Sequence, residues 1–351
     1  MDNNSEKIGF YLGKFTILHS GHQFVIDTAL KEMDRLFILI YDAPSVTVIP
    51  LDVRARWIET IYENFPITVI KGWCGPEGSG YSEEIIKMEN EYILQMVGDK
   101  GITHFYSSEP YGEHVSEALG CVNRTVDMER KTYPIAASTI QKNPFRYRDY
   151  VHPVVYSDLI TNVVFVGAPS TGKTTITQKL SVAYNTVWMP EYGREYWETH
   201  HMDRRLEPWQ LTEIAEVHVT REHEKMQEAN QYFFTDTNAI TTYMFAIEYH
   251  GFASGKLTEL ANAAERRYDL VFLCGDEIPY EDTWERSGDM NRHIFQQKIK
   301  SDLIQRNIPF ITLTGSLDER VKTVKKVLHE FRKWTSVGDL ITSKYKNNIA
   351  N

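Results

Sequence analysis

Residues 8–22 read IGFYLGKFTILHSGH: an apolar run from Ile8 to Leu12 breaks at Gly13 and Lys14 and soon meets two histidines three apart. The run has the composition of a buried strand, and Phe24, Ile26 and Leu30 beyond Gly21 have helical spacing, so the segment reads as strand, loop, helix. This places His19 and His22 in the first turn of the helix, at the positive end of its dipole, where unpaired N–H groups attract anions. Lys14 adds a charge from the strand end, and a phosphate site accounts for all three residues at once. A zinc site would need a third ligand at HExxH or cysteine-pair spacing, which this stretch lacks. His200-His201 and Arg221-Glu222-His223-Glu224 do not fit such a site either.

Working outward, Ile8 to Leu12, Leu36 to Tyr41, Ile67 to Ile70 and Thr103 to Tyr106 are strand-like runs separated by helical patterns. A second series comprises Asn162 to Val166, Thr186 to Met189, Tyr232 to Asp236, Asp269 to Leu273 and Ile308 to Leu313. The alternation predicts an α/β protein of two domains, both with parallel sheets covered by helices. The domains are expected at 1–150 and 160–336, with a polar tail at 337–351. Between them, NPFRYRDYVHPVVYSD has two internal prolines that disfavour one continuous helix. Leu317, Val321, Val324, Leu328 and Phe331 recur at helical spacing and predict a core helix with Lys, Arg and Glu on its other face. GPEGSG at Gly75 to Gly80 has no GK[ST] after it and reads as a loop.

With 351 residues the chain exceeds one compact domain, and 42% hydrophobic and 25% charged residues are ordinary globular values. The formal net charge of −10 argues against nucleic acid or an anionic membrane as partner, so any anion must be held by specific residues. No apolar run is long enough for membrane insertion, and the start MDNNSEKIGF lacks the regions of a secretion signal, so a cytoplasmic location is expected. Cys74, Cys121 and Cys274 are scattered and form no CxxC pair. The sequence is compatible with a homo-oligomer and does not specify one.

Gly167 to Thr174, GAPSTGKT, follows the strand NVVFV and precedes the helical run TTITQKLSVAY, which meets both context requirements of the P-loop pattern. Gly167 and Gly172 let backbone N–H groups turn towards phosphates, Lys173 reaches the terminal ones, and Thr174 ligates magnesium, with Thr175 next on the helix. Asp236, ending the strand YFFTD, is expected to complete the magnesium shell. In IPYEDTWERSGDMNR, Arg286 and Arg292 lie where a loop closing over the phosphates would supply guanidinium charge. Glu191 and Arg194 follow the second strand, at the edge where an acceptor hydroxyl would be bound and deprotonated, which favours a small-molecule kinase.

The opening stretch resembles the nucleotidyltransferases of signature GxFxPxHxGH, matching at Gly13, Phe15, His19 and His22, with Ile17 in the proline position. IAASTIQ at Ile135 to Gln141 partly resembles that family's ISSTxxR element, with Ala136 for a serine and Gln141 for the arginine, and Ser138 and Thr139 lie within it. The whole order resembles the bifunctional nicotinamide mononucleotide adenylyltransferase and ribosylnicotinamide kinase family. That resemblance extends to VRARW at Val53, SSEPYG at Ser107, KNPFRY at Lys142, PEYGREY at Pro190 and FTDTN at Phe234. Some members carry an N-terminal helix-turn-helix module; with a first strand near Ile8, none is expected here.

The resemblance implies a Rossmann-like nucleotidyltransferase domain followed by a P-loop kinase domain, using ATP and Mg2+ and acting on nicotinamide riboside and nicotinamide mononucleotide to make NAD. It implies that Gly13, Phe15, Ser138 and Thr139 bind ATP in the first domain and that Arg54, Glu109, Glu191 and Arg194 meet the substrates. The nicotinamide ring is cationic and favours aromatic faces, for which Tyr280 and Trp284, and Trp57 and Trp73, are candidates. In adenylyl transfer the attacking phosphate is already anionic, so positioning and charge neutralisation by His19, His22, Lys14 and magnesium suffice. In the kinase step the attacking hydroxyl gains from a base, Glu191 or Asp236. Two other readings stay open: a kinase whose first domain is structural, and a nucleotide-sensing regulator whose first site, with Gln141, binds without turnover.

Overall fold

The computed structural model describes residues 6–73, 82–200, 206–279 and 289–335. The chain divides into two compact units, one including Met1–Tyr156 and one spanning Ser157–Lys333. The tail at 337–351, the GPEGSG loop and Cys74 lie outside the described residues.

The first unit holds a sheet of β1 (Ile8–Gly13), β2 (Arg35–Tyr41), β3 (Ile67–Gly72), β4 (His104–Ser107) and β5 (Val122–Thr125), in the order β3-β2-β1-β4-β5. All four pairings are parallel. β1 and β2 are nearly continuous apolar runs because helices cover both faces, and Phe10, Leu36, Ile38, Leu39 and Phe105 are each 0% exposed. β5 gives no such signal in the sequence: VNRT is an edge strand with three exposed residues, so no apolar period marks it. The order reverses between β1 and β4, and the crevice beyond their carboxyl ends is where ligands bind in open parallel sheets.

The second unit repeats the plan with β6 (Thr161–Val166), β7 (Trp188–Met189), β8 (Tyr232–Asp236), β9 (Leu270–Cys274) and β10 (Ile311–Leu313). Their order is β10-β9-β6-β8-β7, again all parallel. Central β6 pairs with β8 and β9, so the loop after β6 emerges beside the end of β8. The apolar stripe of the Leu317–Glu330 helix packs on this sheet through Val321, Val324 and Leu328. The proline-bearing connection forms a short 3-10 turn, Arg148–Tyr150, and a new helix, Pro153–Leu159, that begins at the proline because its missing N–H costs nothing there. Among the described residues no helix is long and apolar enough to cross a membrane.

Candidate active sites

In the first unit, β1 ends at Gly13 and the helix Ser20–Glu32 begins after the cap residue His19. A Cβ added to Gly13 would lie 3.1 Å from the tip of the Phe15 ring, so glycine is what lets that ring fold back under the loop. Phe15 has a left-handed backbone, φ 43°, and is 2% exposed. Its ring packs edge-on against Tyr11 at 5.3 Å and His22 at 5.1 Å. This corrects the expectation for Phe15: the ring is buried support for His22 and offers no face to ATP.

The two histidines form the helix cap. His19 Nδ1 accepts from the Gly21 N–H at 3.1 Å, and His22 Nδ1 accepts from the His19 N–H at 3.4 Å. The rings stack with centroids 3.8 Å apart. A neutral imidazole has one donor and one acceptor nitrogen, so occupation of Nδ1 as acceptor leaves the proton on Nε2. Burial, and then the nearby Arg130 guanidinium, lower the His19 pKa to about 4. Burial, His19 and Arg130 hold His22 well below its usual value, against a smaller opposing effect of the Ile17 carbonyl. With no anion beside it the pair therefore offers hydrogen-bond donors and little charge at neutral pH.

The loop is fixed by Arg54, which is 0% exposed. Its Nε donates to the Ile49 carbonyl at 2.9 Å, and its Nη1 donates to the carbonyls of Lys14 and, at 3.2 Å, of Tyr41. Its Nη2 pairs with Asp42 at 3.2 Å. Arg54 is thus a clamp between the loop after β1 and the end of β2, with no exposed surface for a substrate. Trp57, on the same helix Leu51–Ile61, is also 0% exposed and belongs to the core, because its position faces the sheet. Both correct the substrate-binding assignment. Trp73 is 52% exposed at the end of β3 and meets Tyr92 edge-on at 5.0 Å.

Lys14 is half-buried and Glu109 exposed, at the ends of β1 and β4. Glu109 pairs with Arg130 at 3.3 Å. Ser138 and Gln141 are exposed and Thr139 half-buried on the short helix Ala137–Lys142. Arg130 belongs to no motif, and only its place in the fold brings it to the histidines.

In the second unit the P-loop links β6 to the helix Lys173–Ala183. Gly167 has φ 145° and a Cβ there would sit 2.9 Å from the Cys274 carbonyl oxygen; Gly172 has φ 81°. Both turns require glycine. Lys173 is 7% exposed and donates to the Gly167 and Ala168 carbonyls at 3.0 and 3.1 Å. Two residues without a sequence signal brace the loop. Gln296 accepts from the Ala168 N–H and donates to the Cys274 carbonyl, both at 2.8 Å. Arg320, 1% exposed, donates to the carbonyls of Thr171 at 2.8 Å, Gly315 at 3.0 Å and Gly275 at 3.1 Å, and pairs with Glu277 at 2.6 Å.

Thr174 Oγ1 donates to Asp236 Oδ2 at 2.5 Å, joining the P-loop to the end of β8. Asp236 is 0% exposed. Burial first, and then the charge of Glu191, raise its pKa to about 6, opposed by Lys173, Thr174 and Arg194. The next residue, Thr237, has φ 72°, which is strained for a β-branched side chain, and its N–H donates to the Phe165 carbonyl at 3.0 Å. Glu191 faces Arg194 at 3.9 Å. Lys173, Thr174, Asp236, Glu191 and Arg194 therefore converge, while Thr175 points to solvent. Arg292 is 8% exposed, and its Nη2 donates to the carbonyls of Asp276 at 2.6 Å and Ile278 at 2.9 Å, bracing the segment after β9. Tyr280, Trp284 and Arg286 lie outside the described residues.

Residues 162–320 match a family model described as an AAA domain. The trifunctional NAD biosynthesis/regulator protein NadR of Salmonella typhimurium is 28% identical over 348 residues, covering 93% of this chain and 84% of the relative. The chain is thus similar to NadR over most of its length. NadR of Escherichia coli is 28% identical over 87% of this chain and 78% of its own length. A probable nicotinate-nucleotide adenylyltransferase of Thermotoga petrophila is 24% identical over 40% of this chain and 86% of its own. A crystal structure of NadR in complex with NAD and AMP-PNP has a TM-score of 0.55 at 21% identity, covering 95% of this chain and 97% of that one. One of NadR in complex with NR has a TM-score of 0.54 at 23% identity, with 93% and 96% covered. The relatives it resembles are proteins of NAD biosynthesis, and the structural likeness to NadR extends to both units of the fold.

Proposed function

We propose that the chain is a bifunctional enzyme of NAD biosynthesis. The second unit phosphorylates nicotinamide riboside with ATP to nicotinamide mononucleotide, and the first adenylylates the mononucleotide with ATP to give NAD and pyrophosphate. The observation that carries this reading is the presence of two separate phosphate-directed constellations, the stacked His19–His22 cap beyond β1 and the P-loop beside Asp236 beyond β6. That NadR structures hold NAD, AMP-PNP and NR supports the choice of ligands.

In adenylyl transfer the mononucleotide phosphate attacks the α-phosphorus of ATP and pyrophosphate leaves. No protein nucleophile is needed; His19 and His22 donate from Nε2 to phosphate oxygens and Lys14 supplies charge. In the kinase reaction the ribose 5′-hydroxyl attacks the γ-phosphorus and ADP leaves. Asp236 is buried and bonded to Thr174, whereas the Glu191 side chain is 24% exposed at the cleft, so Glu191 takes the hydroxyl proton and Arg194 orients it. Lys173 exchanges its two loop carbonyls for phosphate oxygens. The hydroxyl of Thr174 and the carboxylate of Asp236 are adjacent hard oxygen donors that fit magnesium, which when bound offsets phosphate charge.

Purified protein incubated with Mg-ATP and either the riboside or the mononucleotide, with products separated by chromatography, tests the proposal. Mononucleotide from the first and dinucleotide from the second are expected. Gln141, exposed and uncharged, is what favours the regulator reading, and dinucleotide bound but never formed would establish that reading instead.

A further inference from the structure

The phosphate-binding arginine of the ISSTxxR pattern is missing at Gln141, and the cap histidines are neutral, so the triphosphate in the first unit lacks a guanidinium partner from the motif. The loop between β5 and the Ala137–Lys142 helix carries a candidate. Asp127 folds this loop into a tight turn: its carboxylate accepts from the N–H groups of Lys131 at 2.8 Å, Thr132 at 3.1 Å and Tyr133 at 3.3 Å. Its carbonyl accepts from Arg130 N–H at 2.8 Å. Tyr133 then seats the turn on the first turn of the histidine helix, with its ring 5.6 Å from that of Phe24 and its Cβ 3.9 Å from the Cβ position of Gly21.

Arg130 is therefore held beside the histidine cap with left-handed backbone, φ 51°, and its guanidinium reaches Glu109 beyond the end of β4. Its charge is felt by both His19 and His22. The Arg130–Glu109 pair joins the loops after β5 and β4, and at 3.3 Å with both side chains about half exposed it is a weak pair that a polyanion displaces readily. Resting on the adenylyl-transfer reading, we propose that Arg130 binds the phosphates of the nucleoside triphosphate in the first unit, in place of the arginine absent at Gln141, and that Glu109 holds it aside when no nucleotide is present. A guanidinium makes bidentate, charge-assisted bonds to phosphate that Gln141 cannot supply.

Arg130→Ala is tested by steady-state adenylyl transfer, normalised to riboside phosphorylation by the same preparation. The Michaelis constant for ATP should rise roughly 10-fold or more, with Arg130→Lys intermediate, as for loss of a charge-assisted contact. Gln141→Arg in the Arg130→Ala background should recover most of the loss, a rescue that a purely structural role for Arg130 would not show. Unchanged ATP dependence in Arg130→Ala overturns the proposal. If wild-type protein forms no dinucleotide, the adenylyl-transfer reading fails and the proposal is judged by calorimetry with a non-hydrolysable ATP analogue in a Lys173→Ala background. Binding lost in Lys173→Ala/Arg130→Ala supports Arg130 as a phosphate ligand, and binding retained overturns it.

Discussion

Asp236 is a single residue whose burial comes at the expense of stability. Its folded pKa, about 6, lies above the ordinary carboxylate value, so its contribution to stability is present at low pH and is lost as pH rises through about 6. At pH 7 the ionised buried carboxylate costs on the order of 2–3 kcal/mol. Asp236→Asn should therefore abolish riboside phosphorylation and raise the melting temperature at pH 7.5 by several degrees, with the gain vanishing near pH ~3, below the ordinary aspartate value. An equal gain at both pH values, by calorimetry, would show that charge is not the cause. The cap histidines behave in the opposite sense. Because His19 titrates near 4, adenylyl transfer should show no imidazole limb between about pH 6 and 8, and a limb near 6.5 that disappears in His22→Asn would contradict the neutral-donor role.

At the scale of elements, each unit fixes its phosphate loop with one fully buried arginine: Arg54 on the helix after β2, and Arg320 on the helix after β10. Each guanidinium satisfies three main-chain carbonyls and one carboxylate, so truncation strands buried acceptors. Arg320→Ala should destabilise the second unit by about 3–5 kcal/mol and Arg54→Ala the first by a similar amount. Each should also impair the reaction of its own unit, since the loop it holds presents Lys173 or Lys14. Urea titration followed by separate assays checks both. A variant of normal stability with lost turnover would make the arginine a ligand contact and not a clamp.

For the whole molecule, the two-reaction proposal predicts that two parallel sheets with their own cores and loops let the reactions fail separately. Lys173→Ala should reduce riboside phosphorylation on the order of 100-fold or more while sparing conversion of mononucleotide to dinucleotide, and His22→Ala should do the reverse. One substitution that silences both reactions in a protein of native circular dichroism would contradict the two-site arrangement.

The sequence by itself determined what depends on local order along the chain. The apolar runs of β1, β2, β6 and β8 are buried on both faces and so stand out, and the P-loop glycines and the HxGH spacing act through bonds a few residues apart. Only the tertiary structure decided what depends on contacts between distant segments. β5 is an exposed edge whose pairing partner is its only signature. Phe15, Arg54 and Trp57 have the residue types of ligand contacts, yet each faces inward, because inward and outward positions in a short loop or one helix turn differ by a rotation that composition does not reveal. Arg320 and Gln296 look like solvated polar residues until the sheet edge brings unpaired carbonyls and the Ala168 N–H to them. Arg130 lies in an unremarked polar loop, and only the turn around Asp127, seated on the histidine helix by Tyr133, carries its charge to the cap, because the carbonyls, charges and ring faces that give such residues their roles are far away in sequence and near only after folding.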